Sequence, residues 1–472
     1  MTLRPLVVTA MVALALPVIA AGSQNVDRSV RPPAAPPPKF KFPKIETHTL
    51  ANGVRVIVVE NHALPLVAVR ILFGADSTAD PPGKEGLYAV TLGALREGTA
   101  SMSSDQLADA FADVGATVAP TGFTTTTQGF ARGLELAGEM VMHPLLDQAG
   151  IDRRKAAQSA LARRVAQTPI TLPRHLFYST LYGANDPYVR SLVPTDASIA
   201  AITRDDVARF YEQYVRPNTT VVVLVGDLRT GSALAAVARV FGGWHAPAAS
   251  TQSDVAPAPA ARPTTIYLCD VPGARAYLYV GNLGPPRSSP DVYAVETAAG
   301  VSGIRMQQSL RENRSFIYSG TAGMVWRRDP ELSAYVGSTS VNPGKVDSAL
   351  VEWLSLLRGL RGDRPATGQE LDAVRRNRVG ALPARIDGPD SLAARVAELV
   401  RGRLPLDYFD QYAVRMASVA PADVAAAAAK YIDLEHLIIV VTGDRATIEP
   451  ALRAAKIAPV VIVDPNGKPI DR

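Results

Sequence analysis

Thr203-Arg-Asp-Asp-Val207, Tyr214, the run Thr219-Thr-Val-Val-Val-Leu-Val225 and Gly226-Asp227 return later in the chain as Ala420-Pro-Ala-Asp-Val424, Tyr431, His436-Leu-Ile-Ile-Val-Val-Thr442 and Gly443-Asp444. The pairs Asp206/Asp423, Val207/Val424, Tyr214/Tyr431 and Gly226/Gly443 all stand 217 residues apart. A constant offset across a helix, a strand and a turn points to a duplicated unit. In each copy Thr203 or Pro421 stands where a helix begins. The β-branched run that follows reads as a buried strand, and Gly-Asp ends it in a turn.

Each copy also opens on strands. Val54 to Val59 and Val67 to Phe73 are apolar β-formers around a His62-Ala-Leu-Pro65 turn. Ile266 to Leu268 and Ala276 to Val280 take the corresponding places in the second half. Helical patterns fill the middle: 102–114, 134–142 and 153–166 in the first half, then 291–301, 346–360, 368–382 and 391–401 in the second. Strands first, helices between and a closing strand predict an α+β fold built twice: two homologous halves, each a mostly antiparallel sheet with helices layered on one face. The predicted boundaries are a signal peptide over 1–23, a Pro-rich linker over 24–43, a first domain over 44–245, a linker over 246–263, a second domain over 264–457 and a tail over 458–472.

Composition narrows the class. The 472 residues are 47% apolar and 20% charged, which suits two domains with sizeable cores. The net charge of +5 is spread thinly, with no basic run and no interleaved aromatics, so a nucleic-acid partner is not expected. Arg4, the apolar stretch Leu6 to Ala21 and the small residues Ala20 to Ser23 form a signal-peptide pattern. The expected address is therefore secreted, periplasmic if the source is a Gram-negative bacterium, with no stable membrane insertion after cleavage. Cys269 cannot form an internal disulfide and reads as a small buried apolar residue.

The order of motifs in the first half is informative: Leu50-Ala-Asn52-Gly53-Val54, Phe73-Gly74-Ala75-Asp76, Gly83-Lys-Glu85-Gly86-Leu87 and Gly98-Thr99. It resembles the opening of the insulinase/pitrilysin peptidase family. There the Gly-Leu and Gly-Thr pairs bracket a helix carrying H-x-x-E-H. Two His one turn apart hold zinc, and the Glu beside them is the base for the metal-bound water. Here the stretch reads Gly86-Leu-Tyr-Ala-Val-Thr-Leu-Gly-Ala-Leu-Arg-Glu-Gly-Thr99, the same length without a gap. Ala89 and Gly93 stand at the two His positions and Leu92 at the base. The helix resembling the carrier of the third ligand, Asp152 to Leu161, places Ser159 at that position. No acidic residue occurs between Asp152 and Asp186 to rescue another register. The six histidines (His48, His62, His143, His175, His245, His436) are too scattered to suggest a different metal site.

The second half keeps another family feature. Leu310-Arg-Glu-Asn-Arg-Ser-Phe-Ile-Tyr318 resembles L-R-E-x-R-G-L-x-Y, with Ser315 in place of Gly and Phe316-Ile317 in place of Leu-Ala. The resemblance implies that Arg311 and Tyr318 contact substrate carbonyls, which suits a guanidinium fork and a phenol as donors to a developing oxyanion. Short-chain members of the family act as pairs that enclose a clam-like chamber, one chain with zinc and the other with the Arg/Tyr pair. The implied function is a non-catalytic subunit of a heterodimeric zinc endopeptidase. Such a subunit holds no cofactor, needs a zinc-bearing partner with intact H-x-x-E-H and acts on flexible peptides. The alternative is a catalytically inert peptide-binding or scaffold protein, homodimeric in form.

Overall fold

Two strands made wholly of buried residues sit inside two sheets. Val221–Gly226 (β6) and Ile438–Gly443 (β11) are buried at every position. A strand covered on both faces has no polar side to alternate with, which is why both read as continuous runs rich in β-branched residues. The computed structural model describes residues 41–246, 259–273, 275–327 and 332–470. The first sheet runs β1-β2-β6-β3-β5-β4, from strands Glu46–Thr49 (β1), Arg55–Glu60 (β2), Leu66–Leu72 (β3), Thr117–Ala119 (β4), Gly122–Thr126 (β5) and β6. The second runs β12-β7-β11-β8-β10-β9, from Thr265–Asp270 (β7), Ala276–Leu283 (β8), Ile317–Trp326 (β9), Ser333–Val341 (β10), β11 and Val460–Val463 (β12).

The two orders superimpose element by element from β2/β7 onward, so the duplication legible in the sequence is a duplication of topology. In each sheet the central strand runs parallel to one neighbour (β2 or β7) and antiparallel to the other (β3 or β8). Only the outermost strand differs. β1 precedes the first copy and pairs antiparallel with β2, whereas β12 follows the second and pairs parallel with β7.

Among the described residues nine α-helices lie in the first half: Leu87–Ala94 (α1), Ser104–Asp113 (α2), Phe130–Met142 (α3), Gln148–Ala166 (α4), Thr171–Tyr182 (α5), Pro187–Ser191 (α6), Asp196–Ala200 (α7), Arg204–Tyr214 (α8) and Thr230–Phe241 (α9). The second half holds Val292–Met306 (α10), Val346–Arg361 (α11), Gly368–Arg378 (α12), Pro389–Arg401 (α13), Tyr408–Ser418 (α14), Pro421–Tyr431 (α15) and Arg445–Ala455 (α16). The predicted helix starts hold. Thr203 caps α8 with Asp206 reciprocating, and Asp423 accepts the Ala420 N–H at 2.8 Å ahead of Pro421 in α15.

Each half layers most of its own helices on one face of its sheet, and the opposite face is covered by a helix lent from the other half. α5 lays Leu176 and Phe177 against Tyr279, Val440 and Ala334 of the second sheet. In return α13 lays Leu392, Val396 and Leu399 into the core that holds Ile57, Ala68 and Val223 of the first. Both sheets are thereby buried on two sides, and the described residues belong to one compact unit.

Two expected boundaries shift for that reason. The segment 458–472 is no free tail: β12 pairs with β7, and the Ile470 N–H returns to the Ile462 carbonyl at 2.9 Å. Phe42, inside the expected Pro-rich linker, is buried and stacks on Phe409 at 5.1 Å, with its N–H on Asp410 at 2.8 Å. The expected signal peptide, residues 24–40 and residues 247–258 of the second linker lie outside the described residues. No helix among the described residues is long and apolar enough to cross a membrane.

Candidate functional site

The bracketed stretch folds as α1. Gly86 stands at its N-cap with φ +108°, a conformation open to glycine at low cost. Glycine has no side chain to cap with, and Asp80 does the work from outside. Its carboxylate accepts the Gly86 and Tyr88 N–H groups at 2.8 and 2.7 Å. Asp80 is 3% exposed, and burial pushes its carboxyl up to about 6 against the pull of those two bonds.

Positions 89 and 93 lie one turn apart on the side of α1 that meets α4, as the motif requires. Nothing there can ligate. Ala89 borders a pocket of about 200 Å³ shared with Asp80, Gln158, Ala162 and Leu192. Leu92 is buried in the first-half core with Leu134 and Phe123. Gly93 is covered by α4: a Cβ there would sit 2.8 Å from Arg154 Cδ. A guanidinium stem therefore crosses the place where the second imidazole would stand. Along α4, Gly150 lies beside Glu97, Arg154 beside Gly93 and Gln158 beside Gly86. Ser159 is the residue after Gln158 and is half-buried. This donor set does not fit zinc: methyl, isobutyl and hydrogen on one helix face an arginine and an amide on the other. Among the described residues no group of three or more His, Cys, Asp or Glu side chains is arranged to hold a metal ion. His62 and His436 pair with Asp227 and Asp433 at 2.7 and 2.6 Å, and Cys269 is buried with its thiol pushed up to about 11.

Arg311 and Tyr318 are brought together. α10 continues into a π-helical segment, Gln307–Asn313, that ends with Ser315 at φ +54°. The left-handed turn is thus made at the position where the resembling motif has glycine. Below it the loop is pinned by buried Leu310, by the Leu310 carbonyl accepting the Phe316 N–H at 2.7 Å, and by Glu352, which accepts from Ser309 and Arg314 at 2.6 and 3.1 Å. Opposite Tyr318 the β9–β10 register slips between Thr339 and Val341. This bulge breaks the alternation, so Tyr318 and Ser319 both face out. Tyr318 is 69% exposed, and the Arg311 guanidinium lies over its ring at 5.7 Å. Arg275, just before β8, covers the same ring at 5.9 Å. Sequence reading missed Arg275 because nothing in its own neighbourhood marks it. It also missed Arg154, although the Arg153-Arg154 pair sits in the helix it singled out. The structure shows no contact between the α1 positions and the Arg311–Tyr318 pair. One group lies on the helix packed against the first sheet, and the other on the edge strand of the second.

Comparisons with known proteins find relatives of the same fold. The sequence profile described as "Peptidase M16 inactive domain" matches residues 201–378. That span runs from the end of α7 to the end of α12 and contains Arg311 and Tyr318. An uncharacterized zinc protease, YmxG of Bacillus subtilis (strain 168), is 20% identical over 363 residues, covering 74% of this chain and 87% of YmxG. A crystal structure of a peptidase M16 inactive domain from Pseudomonas fluorescens has the same fold at TM-score 0.73 and 23% identity, covering 85% of this chain and 98% of that one. The periplasmic protease PqqL of Escherichia coli matches at TM-score 0.69 and 15% identity, covering 90% of this chain and 51% of PqqL.

Proposed function

We propose that the chain is a zinc-less member of the insulinase/pitrilysin (M16) peptidase family and acts as one subunit of a two-chain endopeptidase. In this reading a partner with intact H-x-x-E-H supplies the metal, and the present chain supplies Arg311 and Tyr318. The observation that carries it is the state of that pair. Tyr318 is exposed, Arg311 lies over it, and neither side chain makes an ion pair or hydrogen bond within the described residues. A phenol and a guanidinium held at the end of a pinned loop are free to donate to a peptide carbonyl, and their donation strengthens as negative charge develops on that oxygen. On α1, by contrast, Ala89, Leu92 and Gly93 offer neither ligand nor base.

The chain would meet flexible peptides, since an extended backbone presents its carbonyls where a folded one has them paired. The apolar N-terminal stretch supports export, to the periplasm if the source is Gram-negative.

The test mixes the purified chain with a zinc-bearing relative from the same genome and follows cleavage of a flexible quenched peptide. Activity is expected only from the mixture. Arg311→Ala is expected to lower its kcat by about 100-fold, the usual effect of removing one oxyanion donor. Unchanged kcat in a mixture that still associates would reject the role given to Arg311.

A further inference from the structure

Beyond the C-terminal end of α1 lies a second pocket, of about 420 Å³. Leu107 and Phe111 of α2, with Val118 of β4, form one wall. The other is formed by Arg96, Glu97 and the α4 pair Arg153 and Arg154. The charges on that wall do not balance. Glu97 is 5% exposed and has both oxygens engaged, one by Arg153 Nε at 2.6 Å and the other by Arg154. Its single negative charge is thus shared by two guanidinium groups. The Arg96 side chain has no ion pair or hydrogen bond among the described residues, and the Nε atoms of Arg96 and Arg154 are both buried without a partner. Burial and the neighbouring Arg154 charge lower the proton affinity of Arg96, with Glu97 only partly offsetting them. Asp105 stands exposed at the mouth and reaches none of the three within ion-pair distance. Among the residues lining the pocket three guanidinium groups face two carboxylates, and Asp147 outside it also acts on Arg153. The buried, unpaired Nε donors of Arg96 and Arg154 are costly unless an acceptor meets them.

We infer that this pocket binds the C-terminal residue of a peptide, with its carboxylate on the Arg96–Arg154 side and an apolar side chain against Leu107, Phe111 and Val118. A planar carboxylate matches the guanidinium fork, and the opposite wall offers only carbon to whatever that carboxylate carries. The site borders the erased metal position, because the same Arg154 crosses Gly93. It does not depend on a partner chain or on Arg311.

The test is calorimetric titration of the full chain alone with five probes: a hexapeptide ending in Leu with a free carboxylate, the same peptide amidated, the free-acid peptide ending in Gly, an amidated peptide with an internal Asp or Glu, and inorganic phosphate. The Leu free acid is expected to bind at least about tenfold more tightly than its amide, as a charge-assisted bond requires. The Gly peptide and phosphate are expected to bind more weakly. Arg96→Gln should reduce the free acid to the amide's affinity, and Arg96→Lys should restore part of it. Equal affinity of acid and amide overturns the proposal. So does tight binding of an amidated peptide with an internal Asp or Glu, which would assign the site to acidic side chains. Phosphate binding as tightly as the Leu acid also overturns it, leaving a plain anion site. If Arg96→Gln does not fold, the wild-type comparison of acid with amide decides alone.

Discussion

Asp80→Asn is expected to change how stability depends on pH, not only its level. Asp80 is buried at the start of α1, where it accepts the Gly86 and Tyr88 N–H groups. Burial raises its carboxyl from 3.8 to about 6; Glu85 adds to the rise, and the two N–H bonds and Arg190 oppose it. At about 1.36 kcal/mol for each tenfold change in proton affinity, that rise corresponds to about 3 kcal/mol. The folded chain keeps this proton to higher pH than the unfolded chain does. The contribution is therefore fully present below about pH 3.8, declines as pH rises, and is lost above about 6. The Asn variant has no proton to release at this position, so whatever its amide costs or gains is the same at every pH. Urea unfolding of both proteins from pH 4 to 7.5 supplies the comparison. The wild-type free energy of unfolding minus that of the variant should fall by about 2.5 kcal/mol across this range, the rest of the change lying below pH 4. A flat difference would show that Asp80 titrates at an ordinary value and that its burial carries no penalty. A difference that grows with pH would mean that the two N–H bonds outweigh burial, reversing the sign of the argument.

Ser315→Gly should stabilise the chain by about 1 kcal/mol, because glycine holds φ +54° without a Cβ clash; thermal unfolding reads it, and destabilisation would contradict the loop geometry. Asp206 is desolvated, which alone would raise its carboxyl. The Lys84 ammonium at 2.5 Å and the Thr203 N–H and hydroxyl outweigh that and hold it well below 3.8, so its contribution is present above 3.8 and lost as pH falls further. Lys84→Gln should therefore flatten the acid limb of the stability profile below pH 4. The triple variant Ala89→His, Leu92→Glu, Gly93→His is expected to bind no stoichiometric zinc by elemental analysis, since Arg154 crosses position 93 and α4 offers no acidic third ligand where it meets α1. Gly337→Ala puts a Cβ 2.1 Å from Cζ2 of the fully buried Trp353 and should cost about 2 kcal/mol or more in urea unfolding.

The duplication was legible because β6 and β11 are central strands. Burial on both faces allows only β-branched and small residues there, so the two copies stay alike in pattern and in the Gly-Asp exit. Strands β4, β5, β9 and β10 were not legible. Gly122 to Thr126 and Ile317 to Trp326 mix glycine, threonine and serine without clean alternation, and in β9 the bulge opposite Tyr318 breaks the period outright. The exchange of α5 and α13 could not be read either. Periodicity shows that Leu392, Val396 and Leu399 share a face, but not which sheet that face meets. The same limit hid the site's neighbours. Position 93 was identified from its bracket, yet Arg154 and Arg275 reach their partners through tertiary contacts that have no signature in local sequence.

The two halves treat their site helices in opposite ways. On α1 the positions that the family resemblance aligns with H-x-x-E-H serve the fold. Leu92 adds to the core, Gly93 admits Arg154, and the Asp80 cap keeps the helix in register without any metal. The α10 extension works against the fold. It ends in a π-helical turn, a strained Ser315, a bulge that turns a tyrosine out to 69% exposure, and two guanidinium groups on that ring in place of carboxylate partners. Left-handed serine costs about 1 kcal/mol, and exposed cation–π contacts return about as much at best. Stability alone would favour a regular hairpin with Tyr318 turned inward. Geometry that costs stability at one place and offers unpaired donors there is what a binding role requires. The physical asymmetry between α1 and α10 therefore supports a division of labour between two chains more strongly than the absence of zinc ligands does.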